Sequence, residues 1–124
     1  MVMGIGLDLV EVGRMAVQLE SEAFQRRAFT PAEIAACSQT GQRAEHLAGK
    51  FAAKEALMKA LGAGLRQGVR FSELEVLADE GGAPHLRATR EAQRRLEALG
   101  VSAIHVSITH TAGLAAAMVV LERN

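Results

Sequence analysis

The stretch Arg43-Ala-Glu-His-Leu-Ala-Gly-Lys-Phe-Ala-Ala-Lys-Glu-Ala-Leu-Met-Lys-Ala-Leu61 decides the fold. Within it Leu47, Phe51, Leu57, Met58 and Leu61 recur at the helical period of about 3.6 residues, so it predicts one long helix over 43–61. Gly62 stops that helix and Gly64 follows. Upstream, Thr40-Gly41 breaks the chain after a shorter helix running to about Ser38. Its start is written in Thr30-Pro31-Ala32-Glu33: a capping threonine, a proline in the first turn and a glutamate that completes a capping box. Before it come a helix over 11–22, carrying Val12, Met15, Ala16 and Leu19, and a short helical piece over 24–29. The chain opens on an apolar strand, Val2 to Val10, with Gly4, Gly6 and Asp8 inside it.

Downstream, Leu74–Leu77 and Pro84–Ala88 read as strands joined through the turn Asp79-Glu80-Gly81-Gly82. Thr89 to Gly100 is an amphipathic helix. Two last strands, Val101–Thr109 and Leu114–Leu121, flank His110-Thr111-Ala112-Gly113. The expectation is an α+β fold, a mostly antiparallel sheet packed on one long helix.

With 124 residues, the chain fits one domain over 1–124. Hydrophobic residues at 49% and charged residues at 23% place it among globular proteins rather than disordered or fibrous ones. Lys plus Arg and Asp plus Glu are 14 each, so no global field exists to hold a polyanion, and any phosphate must be met by a local cluster. Aromatic content of 3%, without Trp or Tyr, speaks against nucleic-acid stacking platforms. Cys37 is the single cysteine, which suits a reducing cytoplasm. The N-terminus lacks a basic signal region, and charges interrupt every run that approaches the ~20 apolar residues of a membrane span. A soluble cytoplasmic protein, with neither nucleic acid nor membrane as partner, is expected.

The chemistry-bearing residues are ambiguous one at a time. Asp8 in an apolar strand is costly unless paired or bound to a cation. On residue type alone it reads first as a strand-end carboxylate satisfied by Arg14 or by backbone donors. Glu55 and Lys59 lie four residues apart on one helix face, the spacing of an ordinary surface pair worth about 0.2–0.5 kcal/mol. On the penultimate strand Ile104, Val106 and Ile108 alternate with His105, Ser107 and Thr109, so the first set faces the core and the second shares the other face. His110 falls on the apolar parity or in the turn, and reads as a turn residue rather than a ligand.

The joint pattern is more specific. Gly4-Ile5-Gly6-Leu7-Asp8 followed by Phe51-Ala52-Ala53-Lys54-Glu55-Ala56-Leu57-Met58-Lys59-Ala60 resembles the holo-[acyl-carrier-protein] synthase family, the small trimeric type of 4′-phosphopantetheinyl transferase. Gly62-Ala63-Gly64, Phe71, Gly82-Ala83-Pro84 and Ile104-His105-Val106-Ser107-Ile108-Thr109-His110 extend the resemblance over the whole chain. The resemblance implies that fold and a reaction: a serine hydroxyl of apo-acyl carrier protein attacks the β-phosphorus of coenzyme A, and 3′,5′-ADP leaves. This is the chemistry of a lipid-metabolic enzyme of fatty acid biosynthesis.

By the same resemblance Asp8 and Glu55 are expected to hold Mg²⁺, which takes one or two carboxylates besides phosphate oxygens and water. Lys59 is expected on the phosphate oxygens, neutralising charge as it develops. The nucleotide is expected near Gly62, Gly64, His105, Ser107 and Thr109. Arg43, Lys50 and Lys54 are the cations available to its 3′-phosphate. Here the sequence departs from the resemblance, since many relatives look to have Arg where Lys50 stands, and Lys keeps the charge without the bidentate fork. Arg14, Arg26 and Arg27 are the expected docking cations for an acidic carrier, and otherwise members of a solvated helix face. Relatives further imply a homotrimer with active sites between subunits. Two other readings stay open: a noncatalytic coenzyme A or nucleotide-binding module of the same fold, and an interaction protein whose assembly is its product.

Overall fold

The computed structural model describes residues 1–37 and 41–124. Along the chain lie β1 (Val2–Glu11), α1 (Val12–Gln18), α2 (Glu22–Ala28), α3 (Pro31–Ala36), α4 (Arg43–Leu61), β2 (Leu74–Ala78), β3 (Pro84–Ala88), α5 (Arg90–Ala98), β4 (Ala103–Thr111) and β5 (Leu114–Glu122). Short 3₁₀ turns at Leu65–Gln67 and Phe71–Glu73 link α4 to β2.

Helix α4 occupies the predicted span and ends on Gly62 in the left-handed region, φ 72°. The capping box of α3 is complete: Glu33 N donates to Thr30 Oγ1 at 3.2 Å, and Thr30 N donates to Glu33 Oε1 at 2.9 Å. The expected end of this helix at Ser38 and the break at Thr40 lie outside the described residues. The single helix expected over 11–22 closes early, at Gln18, because Ser21 accepts from Phe24 N at 3.2 Å and so caps a new helix, α2.

Two antiparallel sheets form, β1-β5-β4 and β2-β3. The β4–β5 hairpin turns on Ala112 and Gly113 alone, at φ 53° and 76°, the left-handed pair of a two-residue loop. Strand β4 therefore continues through His110 and Thr111, and His110 is a strand residue rather than a turn residue. Its side chain meets Glu45 of α4 through Nδ1 and Oε1.

Helix α4 lies directly against the three-stranded sheet. A Cβ built on Gly6 would stand 1.7 Å from the carbonyl oxygen of Ala56, and one on Gly4 would stand 2.0 Å from that of Ala60. Only glycine permits strand and helix to meet backbone to backbone there. Ala52, Ala56 and Leu57 then bury against Ala117, Val119 and Leu121 of β5, with Val76, Leu86 and Leu96 closing the core. Each large apolar side chain so buried contributes about 1.5–3 kcal/mol. At the other end of α4, Leu47 joins Met15, Leu19 and Phe29 in a second cluster. The opposite face of the sheet is uncovered: Ile5, Leu7 and Leu9 are 64%, 61% and 63% exposed, beside Met118 and Leu114. No helix among the described residues is long and apolar enough to cross a membrane.

Candidate active site

Strand parity puts Asp8 on the same side of β1 as Gly4 and Gly6, facing α4. The close approach at Gly6 and Ala56 brings that carboxylate to the helix turn that carries Glu55 and Lys59. Lys59 Nζ donates to Asp8 Oδ1 at 3.0 Å and to the carbonyl of Leu7 at 3.0 Å. Asp8 is largely shielded, with a side chain 15% exposed, whereas that of Lys59 is 55% exposed. Its partner is thus Lys59 and not Arg14, and Lys59 turns to Asp8 instead of forming the helix-face pair with Glu55. Glu55 is half-buried. Burial first, and then the charge of Asp8, push its carboxyl above the ordinary glutamate range, while Lys59 pulls it back.

Glu55 stands between two concavities. A groove of about 500 Å³ is lined by Glu55, Met58, Lys59, Gly62, Ala63, Gly64, Arg66 and Phe71. A smaller depression of about 320 Å³ holds Asp8, Arg14, Phe51 and Glu55. Five expected site residues, Asp8, Glu55, Lys59, Gly62 and Gly64, therefore border one continuous stretch of surface. Arg14 stands at its rim. Arg66 and Phe71 are additions that residue spacing did not single out for the site.

The remaining residues disperse. Lys54 contradicts its expected place at a phosphate: its side chain has no exposure, and Nζ donates to Glu33 Oε1 at 2.6 Å, Ala28 O at 2.8 Å and Phe71 O at 3.2 Å. All three ammonium protons are used inside the protein, so none is left for a ligand. Burial lowers its pKa most, and the charge and hydrogen bond of Glu33 oppose that shift. Lys50 is accessible but elsewhere. It donates to Val76 O at 2.6 Å and lines a third cavity, of about 530 Å³, with Cys37, Glu45, His46 and His110. Arg43 reaches Gln25 Oε1 at 3.4 Å.

His105, Ser107 and Thr109 project from the sheet face turned away from α4, alongside Met118 and Val120. Within one chain they cannot join the groove. His105 there bonds Glu122 Oε1 at 3.0 Å. Arg26 and Arg27 are exposed on α2, and Arg26 pairs loosely with Glu22 at 3.8 Å. His46 and His110 were missed as cavity residues. The signal existed for His110, two residues beyond Ile108 and so on the core parity, where an imidazole needs a partner.

Known proteins share this arrangement from end to end. The sequence profile of the 4'-phosphopantetheinyl transferase superfamily matches residues 4–118. The holo-[acyl-carrier-protein] synthase of Geobacter sp. (strain M21) is 44% identical over 125 residues, covering 99% of this chain and 100% of the relative. Among solved structures, the holo-[acyl-carrier-protein] synthase of Neisseria meningitidis superposes with a TM-score of 0.88 at 34% identity, over 99% of this chain and 100% of that one. That of Bacillus anthracis str. Ames, in complex with CoA (3',5'-ADP), superposes with a TM-score of 0.83 at 35% identity, over 100% of this chain and 99% of that one. Such similarity runs through both the strand that carries Asp8 and the helix that carries Glu55 and Lys59, and it places the chain in the holo-[acyl-carrier-protein] synthase family of phosphopantetheinyl transferases.

Proposed function

We propose that the chain, as one cytoplasmic domain over residues 1–124, transfers 4′-phosphopantetheine from coenzyme A to a serine of apo-acyl carrier protein in the service of fatty acid biosynthesis. The serine oxygen forms a bond to the β-phosphorus, the bridging P–O bond breaks, and 3′,5′-ADP departs with the electron pair while the serine proton is lost. One observation carries the reading: Asp8 of β1 meets Glu55 and Lys59 of α4 where the groove and the smaller depression adjoin at Glu55. The noncatalytic reading gives no reason for that convergence.

The donor set fits Mg²⁺. Two hard carboxylates disfavour each other here, as the upward push of Asp8 on Glu55 shows, and a divalent cation relieves that repulsion. Among the described residues no group of three or more His, Cys, Asp or Glu gathers, so substrate phosphates and water would complete the coordination. Asp8 and Glu55 would hold the ion, which when bound offsets charge on the pyrophosphate. Lys59 has two of its three N–H bonds committed, to Asp8 and Leu7, and the third is available to a phosphate oxygen. Gly62 and Gly64 let the backbone border the groove without side chains, and Lys50, in its separate cavity, would meet the 3′-phosphate only if the nucleotide extends beyond the groove. Arg14, with Arg26 and Arg27, would meet the acidic carrier.

Two faces support an assembly. Ile5, Leu7, Leu9, Leu114 and Met118 expose apolar side chains together on one face of the sheet, and a homotrimer would cover them. His105, Ser107 and Thr109, which face away from their own groove, would then serve the nucleotide of a neighbouring subunit.

Incubating the protein with Mg²⁺, coenzyme A and apo-carrier, then weighing the carrier, tests the function. The expected result is one added phosphopantetheine per carrier with stoichiometric 3′,5′-ADP. Coenzyme A binding with an unchanged carrier mass would establish the noncatalytic module instead.

A further inference from the structure

Lys54 precedes Glu55 in the chain yet points the other way, into the protein. Its three bonds tie α4 to the last residue of α2 through Ala28 O, to α3 through Glu33, and to the 3₁₀ turn through Phe71 O. Glu33 is equally saturated: Oε1 takes Lys54 Nζ and Thr30 N, and Oε2 takes Val76 N at 2.7 Å. Neither side chain has any exposure. A buried ion pair is weak evidence for stability, since desolvation of both charges offsets their attraction, so its presence calls for another explanation.

Phe71 supplies it. The residue comes from a segment covalently remote from Glu55, yet it lines the same groove. Its carbonyl is held by Lys54, and its ring sits 4.9 Å from that of Phe51, centroid to centroid. Charged groups in the groove, Glu55, Lys59 and Arg66, suit the diphosphate. Met58, Ala63, Leu65 and Phe71 form an apolar lining that suits the uncharged arm of the substrate.

We propose that the buried Lys54–Glu33 pair is a positioning element that fixes Phe71 as the apolar wall of the Glu55 groove, and thereby sets affinity for the pantetheine arm of coenzyme A. This rests on the transferase reading and names the part of the substrate that the wall serves. Lys54 is a positioning residue: it touches no substrate and acts through Phe71.

The test compares coenzyme A with 3′,5′-ADP, which lacks the arm, by titration calorimetry with Mg²⁺ present. Two variants are used, Phe71→Ala and the near-isosteric double change Lys54→Met with Glu33→Gln. Both are expected to weaken coenzyme A binding about tenfold or more, the scale of lost apolar contact in a pocket, and to leave 3′,5′-ADP within about twofold. In transfer assays KM for coenzyme A should rise and KM for the carrier should not. Equal losses for the two ligands, or no loss for either, would overturn the proposal. Loss of cooperative unfolding in the double variant would overturn it too, because the pair would then hold the whole fold rather than one wall. Failure of the transferase reading shows separately, as absent transfer in the unaltered protein.

Discussion

Lys54 and Lys59 are the same residue type, five positions apart on α4, and the protein treats them oppositely. Lys54 is sealed, with every proton used by Glu33 and two carbonyls, whereas Lys59 is half-exposed, leans on Asp8 and keeps a proton for the groove. The difference comes from the helix face. Five residues rotate a side chain by about 500°, so the second lysine emerges some 140° around the helix from the first. In the proposed site, one end of the motif would shape the groove and the other would act in it.

The contrast breaks most sharply if the working end is removed. Asp8→Ala or Glu55→Ala should abolish transfer while leaving far-ultraviolet circular dichroism unchanged, since each would take away one of two proposed hard ligands, and among the described residues no third carboxylate joins them. Near-normal turnover with Mg²⁺ as the only metal would dismantle the assigned site. At the shaping end, Lys54→Ala should instead cost stability, about 3–5 kcal/mol in denaturant unfolding, because Glu33 is left charged, buried and unpaired. A change under about 1 kcal/mol would mean that water reaches Glu33 and replaces the lost ammonium.

How far the two ends were legible in the sequence differs in the same way. The helix itself was plain, because its apolar period and Gly62 mark both its face and its stop. The alternation Ile104, Val106, Ile108 likewise fixed the faces of β4. Lys54 carried a signal that was passed over: Leu47, Phe51, Lys54, Met58 and Leu61 step by four, three, four and three, so Lys54 stands in the apolar stripe. A lysine there must be buried and paired. Its partner, Glu33, was already assigned to a capping box, and no local rule says that its carboxylate has a second bond to make. The family resemblance, not spacing, put Asp8 in one site with Glu55 and Lys59, but the bond between Asp8 and Lys59 was in neither, because it depends on contact between residues far apart in sequence. The cavity around His46 and His110 was hidden because β4 outruns its expected end by two residues.

Assembly sharpens the comparison from outside. Ile5→Lys combined with Met118→Lys places charge on the uncovered sheet face, and sedimentation should then show monomers, with transfer reduced because His105, Ser107 and Thr109 no longer reach a neighbouring groove. An unaltered protein that sediments as a fully active monomer would refute the shared site. A smaller effect is expected at the rim. Arg14→Glu should raise KM for the carrier and leave KM for coenzyme A unchanged, and the wild-type carrier KM should rise as the Debye length shortens from about 10 Å at 0.1 M salt to about 3 Å at 1 M. A carrier KM insensitive to both changes moves the docking surface elsewhere.

The central claim is that Lys59, held against Asp8, stabilises charge on phosphate as the bond to the carrier serine forms. Steady-state kinetics of Lys59→Met, with both substrates varied, tests it most directly. The account predicts a fall in kcat of about 10²–10³-fold, the scale of losing one preorganised donor to a developing charge, with KM for coenzyme A changed only slightly. An unchanged kcat, or a loss confined to KM, would show that Lys59 merely binds substrate or pairs with Asp8, and would contradict the account.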